Sequence, residues 1–277
     1  MNARVMARTG RGRARRAANG SAAEGAARAG LTARGVIYLL VGILALQIGF
    51  GTGNRQADRG GALAELSDKP FGAVLLWALG IGLVGMALWR LSEALFGATG
   101  KDGHTAKKRL PAAARCLFYA FVAYSVLAFA AGTGGSGSSD QQSRDVTAKV
   151  MEMPAGRWLV GVAGVAIVVA GVVIGVQALR RGYHKKLKIG ALSPRARRLV
   201  DVTGVGGGAA RGLVFAAAGA FAVRAAVDYE ADKAKGLDDT LRSFAETPLG
   251  PWLLICVAAG LMLFGVFSFA LARWRRV

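Results

Sequence analysis

The sequence contains very little cysteine and histidine, with two residues of each in 277. Cys116 and Cys256 fall in apolar segments near opposite faces of a predicted membrane domain. A disulfide between them is therefore not expected, and two thiols cannot form a four-thiolate metal site. His104 and His184 fall in predicted loops without acidic or cysteine neighbours. We therefore predict no metal ligands, no cofactor-binding residues and no Ser-His-Asp catalytic residues.

Acidic residues are also scarce, because 16 Asp and Glu stand against 36 Lys and Arg, for a net charge of +20. Such an excess can indicate nucleic-acid binding. The basic amino-terminal tail at residues 1–28 has no interleaved aromatic side chains for stacking on bases, however, so we do not expect a nucleic-acid partner. The tail also lacks apolar periodicity. It is predicted to be disordered and to lie against anionic lipid head groups.

Apolar residues, in contrast, make up 53% of the chain, and the mean hydropathy is +0.40. Six apolar runs approach or exceed the roughly 20 residues that cross a bilayer's hydrocarbon core. The first run begins well after the amino terminus and is followed by others, so it is predicted to be a retained span rather than a signal peptide. The predicted spans lie near residues 33–50, 71–96, 112–131, 156–179, 209–227 and 250–272.

The distribution of charge predicts the orientation of these spans. The segments on one side carry 26 of the 36 Lys and Arg but only four of the 16 Asp and Glu. Lys and Arg in short loops favour the cytoplasmic side. We therefore predict a multi-pass protein of the cell membrane with both termini in the cytoplasm.

The six runs form three pairs that share signature residues at matching positions. The second run of each pair opens on an acidic-x-Pro-x-Gly turn, at residues 68–72, 152–156 and 246–250. The first carries an arginine followed four residues later by an aromatic side chain: Arg34 and Tyr38, Arg115 and Tyr119, Arg211 and Phe215. A fixed period with matching residues indicates a repeat architecture.

The predicted fold is therefore all-α, a six-helix transmembrane bundle of three repeated helical hairpins related by pseudo-threefold symmetry. The repeats are predicted to span residues 29–97, 110–182 and 206–277. A basic linker at residues 183–205, lying along the inner leaflet, precedes the third repeat. The Gly206–Gly208 run lacks the context of a phosphate-binding loop and is interpreted as a flexible entry to the fifth span.

The acidic-x-Pro-x-Gly turns have a structural interpretation. Proline suits the first turn of a helix, and the acidic residue ahead of it could satisfy free backbone amides, so the turns are predicted to start the second helices. Apolar pairs ahead of the turns, such as Leu63 with Leu66 and Leu241 with Phe244, predict short helices that rest on the membrane or plug the hairpins. Gly171-x-x-x-Gly175 predicts close helix packing within the chain, with a dimer face as the alternative.

The arginine–aromatic pairs are harder to explain by structure alone. Each arginine lies in the first turn of an inward-starting helix, where the helix dipole is also positive. One interpretation is the positive-inside bias, with the side chains reaching toward lipid phosphates. The other is a pseudo-threefold set of anion sites, filled by lipid head groups or protein carboxylates, in which the aromatic side chains help to hold the guanidinium groups.

Arg90 and Glu93 form a candidate polar pair inside the second span. An ionisable residue at such depth is a functional candidate, but the three-residue spacing also allows a structural ion pair. The equivalent positions in the other repeats are Gln177 and Leu271. This difference argues against a threefold-equivalent polar site.

The stretch from Gly61 through Pro70, Gly72 and Trp77 to Arg90 and Glu93, together with Arg34-Gly-Val-Ile-Tyr38, resembles the repeat of the bacterial domain of unknown function 1206 family. The resemblance covers nearly all of residues 28–276. It implies a six-span protein made of three two-helix repeats, and it implies no activity.

Three functions remain open at this point. The first is a non-enzymatic structural or interaction protein of the membrane, with anionic lipids, a membrane-protein partner or a second copy as its partners. The alternative is a small channel or transporter with a path between the repeats. An intramembrane enzyme would require acidic, histidine or nucleophilic residues converging at one depth, which the sequence does not offer. We favour the first.

Overall fold

The structure is a computed structural model that describes residues 21–53, 55–97, 106–133, 138–187, 190 and 192–275. Within these residues the chain forms nine α-helices and no β-strand beyond one isolated bridge. The helices are α1 (Ser21–Gly49), α2 (Arg59–Ser67), α3 (Gly72–Phe96), α4 (Ala106–Ala130), α5 (Ser139–Met151), α6 (Gly156–Leu179), α7 (Pro194–Asp228), α8 (Leu237–Ala245) and α9 (Gly250–Trp274).

Six helices, α1, α3, α4, α6, α7 and α9, are long and apolar enough to cross a membrane. The predicted all-α, six-span architecture is therefore confirmed. The short helices α2, α5 and α8 lie in the connection inside each hairpin. We call their face of the bundle the hairpin face, and the opposite face, where α1, α4 and α7 begin, the basic face.

The second helix of each repeat packs along the first helix of another repeat, in the pairs α3–α4, α6–α7 and α9–α1. Inside the repeats, α1 packs on α3 and α7 packs on α9, whereas the described residues of α4 and α6 make no extensive contact. The predicted pseudo-threefold symmetry is consequently not confirmed. α1, α3 and α9 are the most buried spans, and α6 is the least.

Glycine explains why α6 packs on α7. A Cβ at Gly171 would lie 2.5 Å from the backbone nitrogen of Ala216, and one at Gly212 would lie 2.7 Å from the carbonyl oxygen of Gly171. The two backbones thus touch directly, as small residues in membrane helices allow. The Gly171-x-x-x-Gly175 motif is used within the chain.

Two helices begin before the predicted starts of their repeats. α1 begins at Ser21, so residues 21–28 of the predicted tail are helical, while residues 1–20 lie outside the described residues. α7 begins at Pro194, capped by the Ser193 hydroxyl, so much of the predicted linker is helix. The helices extend past the apolar runs because their first turns carry polar side chains, and hydropathy alone detects only the lipid-facing part.

The predicted flexible entry to the fifth span is also wrong. Gly206–Gly208 lie inside α7, where a Cβ at Gly207 would be 2.4 Å from the backbone nitrogen of Phe264. The glycines let α7 approach α9 closely, so they serve packing rather than flexibility.

The short helices plug the hairpin face, one of the two arrangements predicted for them. Leu63 and Leu66 on α2 and Leu241 and Phe244 on α8 are buried, and Thr147 on α5 is buried as well. Each short helix therefore covers the ends of the long helices with its apolar side.

The acidic-x-Pro-x-Gly turns lead directly into the second helices, as predicted, but their acidic residues do not cap those helices. Asp68 closes α2 instead of capping α3, and its carboxylate pairs with Arg55. α3 starts after Phe71, whose φ is 63°, without a side-chain cap. A Cβ at Gly72 would lie 2.4 Å from the Ser67 carbonyl oxygen. The glycine is therefore required because the chain turns tightly against the end of the short helix.

Carboxylates link the three hairpins in a cycle on the hairpin face. Each accepts a hydrogen bond from a backbone amide of another repeat: Ser139 N to Asp58 Oδ2 at 2.6 Å, Asp239 N to Asp140 Oδ1 at 3.1 Å, and Ala57 N to Asp238 Oδ1 at 2.7 Å. These bonds satisfy amides at or near the starts of the short helices, which have no partner within their helix. Carboxylate oxygens of Asp140, Asp238 and Asp239 come within 4.8 Å of one another. Backbone capping accounts for this cluster.

The cycle makes stability depend on pH. Burial, together with the charges of Asp239, Asp238 and Asp58, raises the pKa of Asp140 to about 6. The unfolded chain releases this proton near pH 3.9, so the stabilisation linked to protonation is complete below about pH 4 and is lost as the pH rises to about 6. We expect Asp140→Asn to flatten the dependence of unfolding temperature on pH between 4 and 7, measured by thermal unfolding in detergent.

Asp145→Asn is the matched control, because Asp145 is an exposed residue on the same helix. It should leave the wild-type pH dependence unchanged. A pH dependence that persists in Asp140→Asn would show that the loss of stability comes from another group.

Candidate functional site: a cluster of arginines at the basic face

The arginines of the three repeats converge near the basic face. Arg34 of α1 and Arg115 of α4 both lie close enough to Arg211 of α7 for their charges to repel. Arg90 of α3 and Arg275, which follows α9, lie close enough to Arg115 to add to this repulsion. We call these five residues the arginine cluster.

Arg34 is held by α9. Its Nε donates a hydrogen bond to Ser268 Oγ at 3.2 Å, and its guanidinium carbon lies 5.1 Å from the centre of the Phe264 ring. Ser268 Oγ in turn donates to the Phe264 carbonyl oxygen at 2.8 Å. The Nη2 of Arg34 is buried without a hydrogen-bond partner among the described residues.

Arg211 lies among three aromatic rings. Its guanidinium carbon is 5.0 Å from the centres of the Phe215 and Phe264 rings and 5.9 Å from that of Tyr38. Cation–π contacts of this kind stabilise a charge that has left water. Its Nε is buried without a hydrogen-bond partner.

The aromatic members of the arginine–aromatic pairs also serve arginines of other repeats. Phe215 stacks on Arg211, four residues before it, as the spacing suggests. Tyr38, however, interacts with Arg211 of the third repeat, and the buried Tyr119 interacts with Arg34 of the first. The signature therefore joins repeats to one another as well as holding its own arginine.

Arg90 and Glu93 form an ion pair, with Arg90 Nη1 2.5 Å from Glu93 Oε2. Arg90 is only 7% exposed, and its guanidinium carbon lies 4.1 Å from the centre of the Trp89 ring. Its Nε is nevertheless buried without a partner. The Glu93 carboxylate thus neutralises part of the charge of Arg90.

Arg275 is a member of the cluster that sequence reasoning missed. Its guanidinium carbon lies 4.5 Å from the centre of the Trp89 ring, and its backbone forms the isolated bridge with Leu187. Within the described part of the chain its Nε is also buried without a partner. The sequence shows only a basic residue after the last span, and nothing in that pattern indicates that it folds back into the bundle.

Arg115 differs from the others because its side chain is exposed on α4. It interacts with Glu93 as well as with Arg90 and Arg211. Arg115 is therefore the exposed member of the cluster.

The cluster is strongly electropositive. Among the described acidic side chains, only Glu93 interacts with these five guanidinium groups. Four arginines have a buried N–H without a partner in the described residues: Arg34, Arg90, Arg211 and Arg275. An unpaired buried charge costs several kcal/mol, about 3–5 kcal/mol when a partner is removed. The arrangement is suited to binding an anion, and guanidinium groups favour phosphate and carboxylate.

The expectation that His184 lacks an acidic neighbour was wrong. Its Nε2 lies 2.5 Å from Asp201 Oδ1, and the Tyr183 hydroxyl is 3.2 Å from the same oxygen. Asp201 lies on the part of α7 that hydropathy did not detect, so the sequence did not bring the two together. His104 lies outside the described residues, and Cys116 and Cys256 are free thiols.

The fold and the cluster together define a multi-pass α-helical membrane protein with buried arginines near one face. The chain belongs to the family described as Domain of Unknown Function (DUF1206), which matches residues 29–97, 110–181 and 206–275. It is similar to "Uncharacterized protein YxxB" of Bacillus subtilis (strain 168), with 31% identity over 244 residues that cover 87% of each chain. No solved structure matches.

Proposed function

We propose that this protein is a non-enzymatic structural or interaction protein of the cell membrane that binds the phosphate group of an anionic phospholipid in the arginine cluster. The observation that carries this proposal is the set of buried guanidinium N–H groups without partners. A phosphodiester supplies negative charge together with several acceptor oxygens, so it would satisfy groups that the protein itself leaves unpaired.

The position of the cluster supports a lipid rather than a soluble anion. Arg34, Arg115 and Arg211 lie well inside α1, α4 and α7, so their predicted place in the first turn of these helices was wrong. Arg90 and Arg275 lie near the ends of α3 and α9. Such positions correspond to the head-group depth of a bilayer. The basic face would then be cytoplasmic, as the excess of Lys and Arg on that side favours, with both termini inside.

The chemistry of the cluster favours binding over reaction. The Ser268 hydroxyl donates its proton to a backbone carbonyl and accepts from Arg34, so no general base activates it. Glu93 is held by Arg90. His184, which could act as a base, pairs with Asp201 instead.

A transport function is the second candidate. The observation that favours it is the lack of extensive contact between the described residues of α4 and α6, together with the exposure of Arg115 on α4. Liposomes containing the protein would distinguish the two functions. Chloride or phosphate flux that depends on Arg115 would support transport, whereas flux no faster than in protein-free liposomes would remove this candidate.

The lipid proposal predicts that the protein retains anionic lipid during purification. We expect Arg34→Gln together with Arg211→Gln to reduce retained phosphatidylglycerol about tenfold or more, because each lost charge-assisted hydrogen bond contributes about 1.5–3 kcal/mol. Native mass spectrometry of protein purified in a mild detergent measures the retained lipid.

Arg224→Gln is the matched control, since Arg224 is an exposed residue near the hairpin-face end of α7, paired with Asp228 at 3.5 Å. It should retain as much lipid as the wild type. Equal retention by the double variant would contradict the proposal.

A further inference from the structure

A second basic site lies on the basic face, beside the start of α7. It is a cavity of about 770 Å³ whose lining includes Arg181, Arg197, Arg198, Asp201, Val202 and Val205. This volume is in the range of small-molecule sites. The cavity does not share a lining residue with the arginine cluster, so it is a separate site.

Asp201 is the carboxylate that lines this cavity, and its oxygens already interact with neighbouring side chains. It accepts from the Tyr183 hydroxyl at 3.2 Å, lies 2.5 Å from His184 Nε2, and pairs with Arg181 Nη1 at 3.6 Å. The guanidinium groups of Arg197 and Arg198 are therefore left without a carboxylate partner among the described residues.

Tyr183, which contacts Asp201, is itself tightly packed. The Tyr183 ring stacks edge-on against Phe267 at 5.0 Å between ring centres, and a Cβ at Gly204 would lie 2.7 Å from the Tyr183 ring. Burial and the nearby Asp201 raise the pKa of Tyr183 to about 12, so the hydroxyl stays protonated and keeps donating to Asp201. The Asp201 carboxylate is therefore paired with neighbouring groups, which reduces its repulsion of an anion in the cavity.

The start of α7 adds to the positive potential. Pro194 is the first residue of this helix of 35 residues, and the Ser193 hydroxyl caps only the Ala196 amide. The Arg197 amide donates to the Ser193 carbonyl oxygen at 2.9 Å, so the helix dipole rather than a set of free amides favours a negative charge at this end. Two arginines on the same first turns reinforce that preference.

We propose that this cavity binds a phosphate group that carries an apolar substituent. Arg197 and Arg198 bind the phosphate oxygens, and Val202 and Val205 contact the apolar part of the ligand. The valines lie one turn or more further along α7, toward the apolar part of the bundle. The basic residues that bind phosphate are therefore followed along the helix by apolar residues that contact the substituent. A phospholipid head group and a soluble phosphate ester share this chemistry.

Binding of phosphate probes to the full-length protein tests this proposal. Inorganic phosphate is titrated calorimetrically into protein in a neutral detergent. The protein is also placed in nanodiscs that contain either phosphatidic acid or phosphatidylcholine. An arginine-specific dicarbonyl reagent then modifies Arg197 and Arg198, and a slower rate of modification shows that the lipid protects the cavity.

We expect Arg197→Gln with Arg198→Gln to weaken phosphate binding about tenfold or more in the titration. In the nanodiscs we expect phosphatidic acid, but not phosphatidylcholine, to slow modification of the two arginines in the wild-type protein. The double variant should fold, because both arginine side chains are exposed on α7. Binding of inorganic phosphate identifies a site open to soluble esters, and protection by phosphatidic acid alone identifies a lipid site.

Arg195→Gln is the matched control. Arg195 is exposed on the same turn of α7 but does not line the cavity, so its replacement should change affinity less than twofold. An equal loss in Arg195→Gln and in the double variant would show only general surface charge and would overturn the proposal. The absence of both phosphate binding and lipid protection would overturn it as well.

Discussion

Arg211→Gln is expected to lower the unfolding temperature of the protein by about 5 °C or more when phosphatidylglycerol is present. Arg211 is held by aromatic rings, and its Nε has no protein partner. If a lipid phosphate binds there, the variant loses part of a buried ion pair, which costs about 3 kcal/mol or more. Thermal unfolding in detergent, with and without the lipid, measures the change.

The sign of the effect without lipid is the sharper part of this experiment. In an empty cluster, Arg34 and Arg211 repel one another, and the buried guanidinium groups remain unsatisfied. Removing one charge then relieves repulsion and desolvation, so Arg211→Gln should be as stable as the wild type, or more stable, in lipid-free detergent. Added phosphatidylglycerol should reverse the order, because a ligand stabilises only the state that binds it.

Arg224→Gln again serves as the control, and its exposed pair with Asp228 should contribute no more than about 1 kcal/mol under either condition. If Arg211→Gln keeps the same rank relative to the wild type with and without lipid, the cluster is a structural feature and the proposed lipid site is wrong.

Gly171→Ala is expected to have the second large effect, a loss of about 3 kcal/mol of stability or failure to fold. Its Cβ would lie 2.5 Å from the Ala216 nitrogen and 2.7 Å from the Gly212 carbonyl oxygen. Both atoms belong to the backbone of α7, so neither can move away as a flexible side chain would. Overpacking of this kind usually costs about 1–3 kcal/mol, and more where the backbone must shift. Thermal unfolding and yield of folded protein measure the loss.

Gly175→Ala is the internal comparison, because a Cβ at Gly175 would meet no atom within 4 Å. Alanine also favours helix over glycine, so this variant should be as stable as the wild type. The two glycines form one sequence motif, yet only the first should be sensitive. An equal loss of stability in Gly171→Ala and Gly175→Ala would show that another surface, such as that of a second copy of the chain, packs against α6 at Gly175.

The contact between α6 and α7 also shows how the described packing differs between the repeats. The sequence repeats at the level of signature residues, but the glycine side of α6 faces α7, and no equivalent contact holds α6 to α4. Close approach of two backbones depends on which glycines face each other. The pattern of one helix does not reveal this.

Part of the arginine cluster could be predicted, and part could not. Recurrence after matching intervals marked Arg34, Arg115 and Arg211 as candidates, and an i,i+3 spacing paired Arg90 with Glu93. Arg275 carries no such mark, because its contact with Trp89 depends on how the last residues return to the bundle.

The sequence by itself determined the six spans, the three hairpins and the residues repeated in them. These are consequences of local apolar length and of periodicity, which need no knowledge of neighbours. Tertiary structure alone decided that acidic residues at the short helices cap the amides of other repeats in a cycle and that Asp201 reaches His184. It also decided that four arginines each keep a buried N–H without a partner among the described residues. These features depend on distances between segments far apart in the chain, and such distances follow from packing rather than from the order of residues.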